Sequence, residues 1–258
     1  MPDLLVLSYH AVSESWPAAL SVTPERFERQ MGALVGAGYR GATLSDAASE
    51  PPAGKTLAVT FDDGYRSVLT HAFPVLERLR LPATVFVPTD FVGTEEPMSW
   101  PGVDHWLGGR HERELVPLSW AELRTLSSSG WEIGSHTCTH PHLTRIDDDR
   151  LADELGRSRA RCESELGLPC RSLAYPFGDH DARVVASTRA AGYDYACVVP
   201  HRLSRPAPLE WPRIGIYHAD GQLAFLLKVS PAVRRLRALP FLQPLDRARR
   251  NVRRRLAG

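Results

Sequence analysis

Hydrophobic residues along the chain follow two patterns in turn. Short apolar or β-branched runs recur at 4–9, 56–61, 83–87, 131–135, 172–175, 195–199 and 214–217, and most are separated by longer segments with apolar positions three and four residues apart. The first pattern predicts strands and the second amphipathic helices, and their alternation is that of βα units around a parallel sheet. In the first helical segment Thr23 is the predicted cap, Pro24 takes the first helical position, and Phe27, Met31, Leu34 and Val35 share a face before Gly36 and Gly38 end it. Further helices are predicted over 67–79, 119–126, 147–166 and 181–191. Residues 90–117 lack periodicity and are rich in Gly, Pro, Trp and His. They predict an irregular excursion above the sheet, in which Trp100 and Trp106 either stack on a sugar or pack the loop onto the body.

At 258 residues the chain has the length of a single α/β barrel domain. Its charge divides it unevenly. Residues 228–258 carry ten Lys and Arg against one acid, Asp246, a net of +9, which leaves residues 1–227 with 21 bases and 29 acids, a net of −8. The expected organisation is therefore a catalytic barrel over 1–227 and a basic tail over 228–258, with different partners for each. In the tail, arginine clusters alternate with Val233, Leu236, Leu239, Phe241, Leu242, Leu245 and Leu256, and Pro240 and Pro244 interrupt any long helix. Peripheral contact with an anionic membrane and a plain solvated terminus are the two main expectations. Nucleic acid is disfavoured because the acidic body offers no second basic surface. The apolar run Leu4-Leu5-Val6-Leu7 is too short for an export signal and lacks a basic flank, and the four cysteines show no CxxC spacing. A cytoplasmic address with free thiols is expected, with the inner face of the membrane as the site of any tail contact.

Two motifs carry candidate chemistry. Thr60-Phe61-Asp62-Asp63-Gly64 puts adjacent carboxylates at the carboxyl end of a predicted strand, where active sites sit in parallel α/β folds. Side-chain alternation would let one carboxylate reach a metal while the other stays free as a base, although Asp-Gly is also ordinary turn chemistry. His136-Thr137-Cys138-Thr139-His140 follows another predicted strand. On a helical turn its two imidazoles would share a face and bind one ion, and Thr137 stands where the zinc-protease motif needs Glu. Combined, the motifs predict a site of two histidines and one carboxylate with open positions for water and substrate.

Taken in order with Tyr175-Pro176-Phe177-Gly178, and with Ser135-His136 through Pro141 and Leu143, these motifs resemble the three of the polysaccharide deacetylase family, the family-four carbohydrate esterases, over about residues 4–217. The resemblance implies an α/β fold of the distorted (β/α) barrel type in a single domain. It also implies Asp62 as general base, and Asp63, His136 and His140 as ligands of a divalent metal, Zn2+ first, with Co2+, Ni2+ or Mn2+ as alternatives. Tyr175, Pro176, Phe177 and Gly178 are implied at the substrate, with a backbone N–H near Phe177 stabilising the oxyanion. Tyr9-His10-Ala11-Val12 resembles the opening of the poly-N-acetylglucosamine deacetylase branch, which implies His10 as general acid in preference to His218, each with a structural hydrogen-bonding role as its alternative. Ala174 stands where many members carry an arginine that pairs with the base, and Arg213 is the residue expected to replace it, unless it forms an unrelated surface pair. His142 is expected to face solvent, Asp181 to cap a helix or touch substrate, and Cys138 to pack its loop.

The implied function is metal-dependent removal of acetyl groups from an acetylated sugar or glycan precursor. Hydrolysis of another amide or imide on the same fold is one alternative. A non-catalytic glycan-binding module is another, motivated by Ala174 and by the lack of a late Leu-x-His motif.

Overall fold

A computed structural model describes residues 3–50, 54–200 and 206–237. β1 (Asp3–Tyr9) is followed by β2 (Ala11–Val12) and β3 (Ser21–Val22), which pair only with each other. β4 (Arg40–Gly41), β5 (Lys55–Phe61), β6 (Ala83–Val87), β7 (Glu132–Ser135), β8 (Ser172–Ala174), β9 (Tyr195–Val198), β10 (Trp211–Pro212) and β11 (Ile214–Gly215) complete the main sheet. Its order is β10-β9-β8-β7-β6-β5-β1-β11, with β4 beside the start of β5, and every pairing is parallel. A single residue, Arg213, separates β10 from β11, so the stretch 211–215 pairs first with β9 and then with β1 and draws the two edges of the sheet together. The result is the nearly closed (β/α) barrel implied by the sequence.

Helices α1 (Pro24–Gly36), α2 (Leu44–Ser49), α3 (Phe73–Leu79), α4 (Trp120–Ser128), α5 (Asp148–Leu166) and α6 (Ala182–Ala190) wrap the sheet. Their starts follow capping chemistry. Thr23 caps α1 ahead of Pro24, Asp147 caps α5, Asp181 caps α6, and Ser119 with Glu122 forms a reciprocal capping box on α4. The helix predicted over 67–79 begins instead as a wide π turn, Val68–Ala72. Pro74 lacks the N–H that a regular helix would donate back to residue 70, and the wider turn accommodates that gap.

Strand alternation sorts the core into two shells. Leu5, Leu7, Leu57, Val59, Phe61, Val85, Val87, Leu173 and Val198 join the large outer core under the helices. The intervening positions Val6, Ala58, Phe86, Ala174 and Cys197 form a separate inner cluster. Inner positions are small except Phe86. A Cβ on Gly134 would lie 2.5 Å from the Phe86 ring and 2.8 Å from Ser172 Oγ, so the missing side chain makes room for that ring. At the amino-terminal end of the strands Glu132 accepts hydrogen bonds from Ser45 N (3.0 Å), Ser45 Oγ (2.5 Å), Thr84 Oγ1 (2.9 Å) and Ser172 Oγ (2.6 Å), tying four elements together.

After the barrel closes, α7 (Gln222–Val229) and α8 (Pro231–Arg237) follow. The boundary expected at 227/228 falls inside α7, because Lys228 bonds Asp220 and Gly215 O, and Arg234 bonds Asp3, Leu4 O and Tyr39. Lys228 and Arg234 are therefore tied to the body. The part of the expected basic tail at 238–258 lies outside the described residues.

Glu132→Ala would strand three hydroxyls and one amide in a part-buried network. We expect a loss of about 2–4 kcal/mol of unfolding free energy, read as a lower urea midpoint at unchanged slope. An unchanged midpoint would contradict the structural role of this cluster.

Candidate active site

The site lies where β1, β5, β7 and β8 end at their carboxyl termini. Ser8, Thr60 and Asp62 share the inward parity, and Asp62 thus meets the residue that closes the barrel. Arg213 Nη1 donates to Asp62 Oδ1 at 2.6 Å and Nη2 to Oδ2 at 2.8 Å, while Nη1 also reaches Thr60 Oγ1 at 2.8 Å. The guanidinium carbon lies 5.4 Å from the centre of the Phe86 ring, the one large ring of the inner cluster. Arg213 is buried, so the surface-pair alternative does not apply. Burial alone would push the Asp62 carboxyl up, but Arg213, followed by the His136 and His10 imidazoles, outweighs it and holds the group below its ordinary value. Ser8 Oγ adds a hydrogen bond to Oδ2 at 3.2 Å, a contact with no signal in the sequence beyond strand parity.

Asp63 breaks the alternation. Its φ of 69° is left-handed, which turns its carboxylate away from the path of the strand toward two histidines. Nε2 of His136 and Nε2 of His140 each lie 3.3 Å from Asp63 Oδ1, and the three candidate ligand atoms are within 4.8 Å of one another. No N–H is aimed at that buried oxygen, which has no hydrogen-bond partner. His136 Nδ1 is 2.7 Å from Ala174 O, a group that only accepts, so the ring proton sits on Nδ1 and the lone pair on Nε2. Burial would raise the Asp63 carboxyl, yet the neighbouring imidazoles hold it well below its ordinary value, while burial pushes the His140 imidazole down. An ionised carboxylate and two imidazole lone pairs, all buried and converging, fit a divalent cation.

The two histidines do not share a helical face, contrary to the expectation from their spacing. Residues 136–140 form an irregular loop in which Thr137 (φ 68°) and His140 (φ 59°) are both left-handed, and this curl brings the rings together. Glu154 of α5 holds the curl. Its buried carboxylate accepts from Cys138 N (2.8 Å), Thr139 N (2.9 Å) and Thr139 Oγ1 (2.5 Å). Sequence reasoning missed Glu154, although an acid in register with the buried Leu151, Leu155, Ser158 and Cys162 was a readable signal. Trp100 packs against the His140 ring at 4.1 Å and 21°, so it is a buried support for that ring and not an open sugar platform. Trp106 meets Trp16 and His111 edge-on.

The third motif is divided in its exposure. Tyr175 is buried with its hydroxyl donated to Leu209 O at 3.0 Å, and Pro176 is buried as well. Phe177, left-handed at φ 58°, is 44% exposed and packs against His142 (4.0 Å, 18°) and His140 (4.6 Å, 71°). His142 is accordingly half-buried under Phe177, with Nδ1 3.6 Å from Asp179, and does not simply face solvent. Gly178 N–H is committed to Tyr175 O at 2.9 Å. His10 Nε2 lies 4.0 Å from Asp62 Oδ2, whereas His218 bonds Ser21 O through Nδ1 at 3.2 Å. Cys138 is buried in its loop, as expected.

A buried carboxylate–guanidinium pair beside an Asp-His-His cluster able to hold a metal stands at the strand ends of a parallel α/β barrel. The family model for polysaccharide deacetylases matches residues 49–196, more than half of the chain, and the protein belongs to that family. Among relatives, YxkH of Bacillus subtilis (strain 168) is 24% identical over 195 residues, which are 74% of this chain but 62% of YxkH. The poly-β-1,6-N-acetyl-D-glucosamine N-deacetylase of Staphylococcus aureus (strain MRSA252) is 23% identical over 223 residues, 81% of this chain and 71% of that protein. The solved structure of IcaB from Ammonifex degensii superposes with a TM-score of 0.69 at 26% identity, covering 93% of this chain and 98% of that one.

If Asp63, His136 and His140 are the ligands, Asp63→Ala and His136→Ala should each reduce bound divalent ion, measured by elemental analysis after gel filtration, from about one per chain to under a tenth. Asp62→Asn should retain it. Loss of the ion in Asp62→Asn at a normal melting temperature would instead make Asp62 a ligand.

Proposed function

We propose that the protein hydrolyses the acetyl group of an N-acetylated hexosamine within a β-linked glycan or its precursor. The observation that carries this reading is the Asp62–Arg213 pair set directly beside Asp63, His136 and His140. The class of substrate is drawn from the printed activity of the staphylococcal relative, and the chain's fit to nearly the whole of the Ammonifex IcaB structure supports it. Of the two alternatives, hydrolysis of another amide or imide finds no favouring contact in the site. The binding-module alternative loses its main motive, because the guanidinium that Ala174 omits is supplied by Arg213.

Asp63, His136 and His140 would hold the metal, with zinc the proposed ion because two imidazoles and one carboxylate around open positions suit it. When bound, the ion would polarise the acetyl carbonyl and lower the pKa of a nearby water. Asp62 accepts the proton of the attacking water. Its Oδ2 already receives Arg213 and Ser8, so Oδ1, which receives Arg213 alone, keeps an acceptor position for that proton. Arg213 holds the carboxylate in one orientation and keeps it ionised. The backbone N–H of Phe177 is assigned to the developing oxyanion by the family motif it belongs to, and its exposed ring offers an apolar face to the sugar. His10, beside Asp62, returns a proton to the departing amine.

With an N-acetylglucosamine oligomer as substrate, acetate release by the metal-loaded protein should fall about 10³-fold in Asp62→Asn and about 10²-fold in His10→Ala. Wild-type release in Asp62→Asn would rule out the base assignment.

The pH profile provides a second test. A general base works above its pKa, so activity is lost as pH falls through the depressed Asp62 value. Arg213→Ala removes the largest opposing influence and leaves only the His136 and His10 imidazoles against burial, so the acid limb of kcat/KM should move to higher pH. An acid limb that stays in place would show that Arg213 does not act through Asp62.

A further inference from the structure

Helix α7 presents leucines to solvent. Phe225 and Val229 are buried, while Leu223 (72% exposed), Leu226 (45%) and Leu227 (52%) occupy i, i+3 and i+4 and so share the outward face. No charge interrupts this face: Lys228, the only charged residue of the helix, is half-buried and bonded to Asp220 Oδ2 (2.5 Å) and Gly215 O (3.0 Å). α8 follows after one residue and carries Leu236, 53% exposed. Beyond it the sequence continues for 21 residues, 238–258, with six arginines and one acid among Leu239, Phe241, Leu242, Leu245 and Leu256.

We propose that the leucine face of α7, assisted by the basic sequence that follows α8, docks the protein on the surface of an anionic lipid bilayer. The argument is one of complementarity. An outward leucine row needs an apolar partner, and the adjoining net +5 of residues 238–258 needs an anionic one. An anionic bilayer supplies both within a few ångströms, at the acyl boundary and the headgroups. Nucleic acid supplies phosphates but nothing apolar for the leucines. A second copy of the chain would bring a further cluster of arginines against the first. The opposite side of α7 packs toward α1 and the core through Phe225 and Val229.

The test is co-sedimentation of the full-length protein with vesicles of phosphatidylcholine alone and of phosphatidylcholine with phosphatidylglycerol. The proposal predicts at least tenfold stronger partitioning into the anionic vesicles, weakening as salt rises. It also predicts a tenfold or greater loss in the triple variant Leu223→Ser, Leu226→Ser, Leu227→Ser at unchanged melting temperature. Replacing Arg247, Arg249, Arg250, Arg253, Arg254 and Arg255 with Gln should cause a comparable loss. No partitioning into either vesicle would overturn the proposal, as would leucine-variant binding equal to wild type. A dimer in light scattering that dissociates in the leucine variant, without vesicle binding, would assign the face to a second copy. Retention on a DNA duplex without vesicle binding would assign the arginines to nucleic acid.

Discussion

The bidentate pair between Arg213 and Asp62 is the contact on which both barrel and site depend. Arg213 is the one residue between the strand that pairs with β9 and the strand that pairs with β1, so the side chain that orients the candidate base also sits at the seam of the barrel. Burying two charges is costly and is offset only when geometry and further hydrogen bonds are good; removing one partner of such a pair costs about 3–5 kcal/mol because the other is left uncompensated. Here Thr60 and Ser8 supply the additional bonds and Phe86 a ring face. The small inner residues Ala58, Gly134 and Ala174 make space for this arrangement. An arginine at 174, in the layer of Phe86 and Cys197, would compete for the volume that Arg213 and Phe86 occupy.

Backbone strain concentrates in the same place. Five described non-glycine residues have positive φ, and four of them, Asp63, Thr137, His140 and Phe177, are in the site. Each left-handed turn redirects a group that regular strand or helix geometry would point elsewhere. The cost is carried by contacts that determine each turn more than once: Glu154 clamps the histidine loop through two amides and a hydroxyl, Trp100 and Phe177 bracket the His140 ring, and Ala174 O fixes the His136 tautomer. This rigidity suits a site whose ligands must be in position before a cation arrives.

Much of this was legible in the sequence because it is local. Strand runs, helix caps at Thr23 and Asp181, and the Asp62-Asp63 and His136/His140 motifs are short-range patterns with direct physical readings. What was not legible depends on tertiary placement. The i, i+4 spacing of the histidines suggested a helical face, but two left-handed residues override it. Tyr175 sits in a motif yet turns its hydroxyl to Leu209, because a buried phenol takes the nearest acceptor. Trp100 gave no sign of whether it would be open or buried, and Glu154 was visible only as an acid in an apolar stripe. The C-terminal boundary was drawn from charge, which does not report that Lys228 and Arg234 are tied to the body.

The central claim is that Arg213 serves the reaction through Asp62, and a double-mutant cycle on kcat/KM for acetate release tests it most directly. If the two act as one unit, Asp62→Asn combined with Arg213→Ala will be no slower than Asp62→Asn alone, because the arginine has no base left to orient. Losses that multiply in the double variant would contradict the account and give Arg213 a role independent of the base.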